Sequence, residues 1–129
     1  MIRALLLPLV PAACASVPAE GVPVTGSWGG THVGLTLDAA GGRLEYDCAG
    51  GTIGPVIPGR DGRFVAAGTH TPEHGGPVRE GEVLPTHPVQ FSGTVRGDRM
   101  TLHGRVATGV ELGPFQLRRG AEPIIFRCL

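Results

Sequence analysis

The chain predicts an all-β domain: one small antiparallel meander of seven to nine strands that closes or rolls strongly into a barrel. Three observations carry that prediction. Apolar and polar residues alternate with a period of two in one stretch after another, the pattern of half-buried strands. Glycine at 22 and proline at 12 of 129 residues punctuate those stretches as turns. No apolar stripe at helical spacing persists for long, so helices of more than a turn or two are not expected. Consecutive antiparallel strands leave unpaired edges unless the sheet shuts on itself, which makes a barrel the economical arrangement and a flat two-layer sandwich the second choice.

The elements follow in order. Residues 31–38 place Val33, Leu35 and Leu37 on one side and His32, Thr36 and Asp38 on the other, and Gly41-Gly42 turns the chain. Residues 43–48 repeat the pattern, with Leu44, Tyr46 and Cys48 inward and Arg43, Glu45 and Asp47 outward. A strand at 52–57 leads through the turn Gly59-Arg60-Asp61-Gly62 into a strand at 63–69 that points Phe64 and Ala66 inward. Val89, Phe91, Gly93 and Val95 alternate in the next strand, Arg96-Gly97-Asp98 turns it, and Met100, Leu102 and Val106 line its return. Residues 111–118 bring Phe115 and Leu117 inward, and the final run sets Ile124, Phe126 and Cys128 on one face, so that Cys128 shares an interior with Cys48. The connection 71–88 holds Pro72, Pro77, Pro85 and Pro88 around Gly75-Gly76, which argues against helix or central strand and marks a long loop of the kind that carries function.

The first residues read as an export signal. Met1-Ile2-Arg3 supplies a positive start, residues 4–10 an apolar run, and Pro11-Ala12-Ala13-Cys14-Ala15 a cluster of small residues. Either the chain is cut after Ala15, or Cys14 is lipidated in a segment that resembles a bacterial lipobox, with Pro11 where that motif carries leucine. A buried N-terminal segment is the third reading. The resulting organisation is a leader at 1–15, a linker at 16–25 and a single barrel domain at 26–129, a size that suits one core. With Cys14 in the leader, the two remaining cysteines are free to pair in an oxidising compartment. A Cys48–Cys128 bridge closes a loop of about 80 residues and contributes roughly 4–5 kcal/mol by chain entropy.

Charge narrows the function classes. Eleven basic residues, all arginine, balance eleven acidic ones, and no stretch interleaves arginines with aromatics, so nucleic acid is not an expected partner. His70-Thr71-Pro72-Glu73-His74 spells HxxEH, a zinc-peptidase pattern that needs both histidines on one helical face; Pro72 and Gly75-Gly76 deny it that helix. A looser metal site from His70, Glu73 and His74, with His87 as a further candidate ligand, is the form that survives. Arg96-Gly97-Asp98 matches an integrin-binding tripeptide and equally what a tight hairpin turn demands. None of Ser16, Ser27 and Ser92 lies in a nucleophile elbow, and Glu45 with Asp47 beside Arg43 reads as a solvated strand face rather than a catalytic carboxylate pair.

Three resemblances add to this. Gly26-Ser27-Trp28 resembles the GxW signature of lipocalins and related small ligand-binding barrels. That likeness implies a lipocalin-like barrel whose tryptophan closes one end under an arginine from a late strand, Arg118 or Arg127 here, and it leaves open whether so small a barrel is hollow or filled. Trp28-Gly29-Gly30, Glu45-Tyr46-Asp47-Cys48, EHGGPVR at 73–79 and Arg127-Cys128-Leu129 resemble a set of uncharacterised small exported bacterial proteins over nearly the whole mature chain, which implies export and fold without an activity. LEYDCAGG at 44–51 resembles bacterial inhibitors of C-type lysozyme, whose inhibitory loop motif is not recognisable here.

The expected function is that of a non-catalytic binding module of the bacterial periplasm or envelope, taking a small ligand or an envelope protein. Its contact surface is the 71–88 connection and one barrel end, with Glu73, His74, Arg79 and Trp28 as contact residues. The alternatives are a metal-binding protein using His70 and His74, and an inhibitor of lysozyme or of a protease. No catalytic residue or cofactor is assigned and the balance is against an enzyme. The protein is expected to be a monomer that meets a membrane only through a lipid on Cys14.

Overall fold

A computed structural model describes residues 21–73, 77 and 79–128. Eight strands follow one another: β1 (Gly26–Gly30), β2 (Val33–Asp38), β3 (Gly41–Tyr46), β4 (Ala49–Ile53), β5 (Arg63–Pro72), β6 (His87–Arg96), β7 (Arg99–Val106) and β8 (Glu111–Arg119). Each pairs antiparallel with the next, and β1 pairs with β8 at Trp28↔Arg119 and Gly29↔Arg118, so the sheet closes. Closure removes the free edges that a meander of this length would otherwise expose.

The period-two pattern sends the apolar residues inside. Val33, Leu35 and Leu37 of β2 face inward with Leu44 and Tyr46 of β3, and the register sets Leu35 opposite Leu44 and Val33 opposite Tyr46. Phe64, Phe91, Met100, Leu102 and Leu117 complete a buried core with Trp28. Each such side chain, fully buried, contributes roughly 1.5–3 kcal/mol relative to exposure. These side chains occupy the interior, so the barrel is filled rather than hollow. Outward positions carry Arg43 and Glu45 on β3 and Arg99, Thr101, His103 and Arg105 on β7, the reverse of a barrel that faces lipid.

Several expected boundaries move. β1, which lies ahead of the first strand the alternation marks at 31–38, is itself a strand. Gly41 and Gly42 belong to β3, and the turn falls at Ala39 and Ala40, where the Ala40 amide bonds the Asp38 carboxylate. The strand expected at 52–57 is instead β4 at Ala49–Ile53, because the Asp47-Cys48 hairpin sets Tyr46 against Ala49. β5 and β6 run further than expected, to Pro72 and from His87, which places Pro72 opposite Ala49 and Pro88 opposite Thr69. The barrel wall absorbs both prolines near strand ends, where few ladder donors are needed.

The largest correction concerns the last residues. Ile124, Phe126 and Cys128 do not form an inward-facing strand; Ile124 and Phe126 are each 56% exposed. Residues 120–128 instead form a strap up the outside of the barrel. Its bonds run from Gly120 N to Ser27 O, through Ile124 N to Gly30 O and His32 N to Ile124 O, to Phe126 N on the Asp47 carboxylate. Gly29 and Gly34 lie opposite each other in the β1–β2 ladder, and a Cβ on either would collide with the strap at Ala121 or Pro123. Cys48 therefore does not point into the core either. It occupies the β3–β4 turn at φ +59°, where it bonds Cys128 on the barrel rim with a Cα separation of 5.0 Å.

Candidate functional site

The two barrel ends differ in construction. At one end Trp28, 1% exposed, lies beneath the Arg119 guanidinium, 4.4 Å from the ring centre. Trp28 Nε1 and Arg119 Nη1 both donate to the Thr25 carbonyl, and Arg119 Nε donates to Asp98. This is the plug implied by the GxW resemblance, with a correction: the arginine is Arg119, not Arg118 or Arg127. Parity along β8 explains the choice, since the inward residues Phe115 and Leu117 put Arg119 inward and Arg118 outward. The Arg96-Gly97-Asp98 tripeptide is the β6–β7 turn, with Gly97 at φ +57°, and its aspartate is committed to Arg119.

At the opposite end His70 of β5 stands directly across from His87 of β6. The Tyr46 ring lies 6.0 Å from the His70 ring and stacks on Phe115 at 5.5 Å. Among the described residues neither the Tyr46 hydroxyl nor His70 Nδ1 has a hydrogen-bond partner, although both atoms are buried. Burial pushes the Tyr46 phenol well above its ordinary range, so it keeps its proton. The His70 imidazole is held below its usual value, first by burial and then by the charge of His87, so it favours the neutral form. Just beyond the pair, the hydroxyls of Thr71 and Thr86 bond at 2.8 Å and tie the two strands together.

Hollows open on the outside of the barrel. A recess of about 510 Å³ follows the β1–β8 seam beside Arg99, Gln116 and Arg118. A groove of about 1270 Å³ runs over β2 to β5 between the strap and the residues Glu73 and Leu84. Its floor carries Arg43, Glu45, Thr52 and Thr69, the two threonines bonded to each other at 2.7 Å, and its walls carry Glu73 and Arg127.

The residues singled out from the sequence are dispersed by this arrangement. Trp28 is in the core rather than on a surface. Glu73 lines the outer groove, and its amide donates to the Cys48 carbonyl; it thus faces away from His70, which points into the barrel mouth. Arg79 is exposed in a turn where its amide donates to the Glu82 carboxylate. His74 and Cys14 lie outside the described residues. Among the described residues no group of three or more His, Cys, Asp and Glu gathers as metal ligands. Sequence reasoning missed Tyr46, Phe115 and the direct pairing of His87 with His70. Alternation already placed Tyr46 and Phe115 inward, whereas the histidine pairing depends on a register across a long connection.

These features define a class: a small, filled, eight-stranded antiparallel barrel with an outer strap locked by a disulfide. No family model matches the chain, and neither does any curated protein or solved structure.

Proposed function

We propose that the protein is a non-catalytic binding module, exported to the periplasm or held at the envelope by a lipid on Cys14, that recognises a polar segment of a partner protein in the outer groove between the strap and Glu73 and Leu84. The observation that carries this reading is the filled interior: with the barrel occupied by its own core, the large hollow lies outside, and its floor mixes Arg43 and Glu45 with threonine hydroxyls. Such a floor offers hydrogen bonds and both signs of charge to an extended polar chain. The disulfide and the strap give the groove a rigid wall, which lowers the ordering cost of binding. Export is supported by the paired cysteines and by the apolar leader.

The test is site-specific photo-cross-linking in the native envelope from positions 43, 52 and 127 in the groove and from position 105 on another face. One protein captured from the groove positions alone, and lost on the double reversal Arg43→Glu with Glu45→Arg, is the expected result. Equal capture from position 105, or an organic adduct in the native mass, would overturn it.

A further inference from the structure

The pairing of His70 with His87 leads beyond partner binding. We propose that these two residues form a two-histidine site for a transition-metal dication at the barrel end formed by Tyr46 and Phe115.

Directly opposed residues of an antiparallel pair hold their Cβ atoms about 4.5–5.5 Å apart. Metal–imidazole bonds are about 2.0–2.1 Å long, so two opposed histidine rings can meet on one ion without moving the backbone. The backbone is also held: the Thr71–Thr86 hydroxyl bond clamps one side of the pair and the Thr69↔Pro88 register position the other. Little strand freedom is then lost on binding.

The donors select the ion. His70 carries a buried Nδ1 without a hydrogen-bond partner among the described residues, a donor left open to a metal ion. Two imidazoles without thiolate or carboxylate favour Cu(II), Ni(II) and Zn(II) over Ca(II) and Mg(II), with Cu(II) the tightest of the divalent series. Water completes the coordination. The Tyr46 ring lies 6.0 Å from the His70 ring, and its buried hydroxyl, without a partner among the described residues, is the outer support the site would use for that water. The site differs from the HxxEH reading, since Glu73 lies in the outer groove and His87 replaces it.

The test is titration of the full untagged chain, first treated with chelator, with Cu(II) and then Zn(II) near pH 7.5. One equivalent is expected to bind, with nitrogen couplings in the Cu(II) EPR spectrum. His70→Ala and His87→Ala should each weaken binding at least about 10-fold, His74→Ala should leave it unchanged, and Mg(II) should not compete. Near-UV circular dichroism checks each variant. Should an alanine variant fail to fold, the wild-type chain still decides, because Zn(II) must shift the ring-nitrogen NMR signals of His70 and His87 together. No stoichiometric binding, binding that survives His87→Ala, or ring shifts confined to other histidines would each overturn the site.

Discussion

At the Trp28 end of the barrel the indole N–H and the Arg119 guanidinium converge on the Thr25 carbonyl and Asp98 takes a further guanidinium N–H, whereas at the Tyr46 end a hydroxyl and an imidazole nitrogen are buried without partners. Both ends are aromatic, and both draw residues from strands far apart in the chain. They differ in what their polar atoms do. The first end uses these hydrogen bonds to hold a plug in place. The second withholds polar groups from water uncompensated, at a cost of roughly 1–3 kcal/mol for each. A barrel selected for stability alone would have filled that end with apolar residues, as it did everywhere else in the core. The comparison sets a plug with satisfied hydrogen bonds at the Trp28 end against uncompensated polar atoms at the Tyr46 end.

Substitutions can break that comparison. Trp28→Ala should have the largest effect, removing the plug and leaving a cavity, with about 3–5 kcal/mol lost in urea denaturation. Equal stability after that change would show that the plug is ornamental. Arg119→Ala should cost about 1–2 kcal/mol, because it removes a ring contact and charge-assisted hydrogen bonds at a partly exposed position. Tyr46→Phe should go the other way, neutral or stabilising by up to about 1 kcal/mol in the same assay, since it deletes a buried hydroxyl that has no partner. A marked loss of stability from Tyr46→Phe would mean that the hydroxyl is satisfied after all, and the contrast between the ends would disappear.

The smallest effect is a pH dependence. The fold disfavours protonated His70, so as pH falls below 6.5 the unfolded chain takes up that proton first. Stability from this group is therefore full above pH 6.5 and declines as pH drops toward the lowered native value. His70→Gln should flatten that limb in thermal melts recorded between pH 7.5 and 5, and an unchanged limb would remove His70 as its source.

Much of the barrel was legible because strand alternation is local. Val33, Leu35, Leu37, Leu44 and Tyr46 could be assigned to the inside from their neighbours alone, and so could Phe91, Met100 and Leu102. The parity of β8 even held the answer to which arginine caps Trp28, since residues 115, 117 and 119 share a face. The same parity misled at both cysteines. Cys48 continues the inward series of Leu44 and Tyr46 on paper, but the hairpin turns one residue earlier. Ile124 and Phe126 alternate as a strand would, yet the barrel is already closed by β1 and β8, so no place in the wall remains and the segment must lie outside.

The sequence by itself determined the all-β class, the inside and outside of most strands, the tight turn at Gly97-Asp98 and the identity of the two cysteines that pair. Those follow from period-two patterning, turn chemistry and counting, each readable over a few residues. Tertiary structure alone decided the strand count, the outer strap, the filled interior and the meeting of His70 with His87 beside Tyr46. Those depend on register and closure, which are set by contacts between segments far apart in the chain, and no local pattern encodes how a long connection aligns the strands it joins.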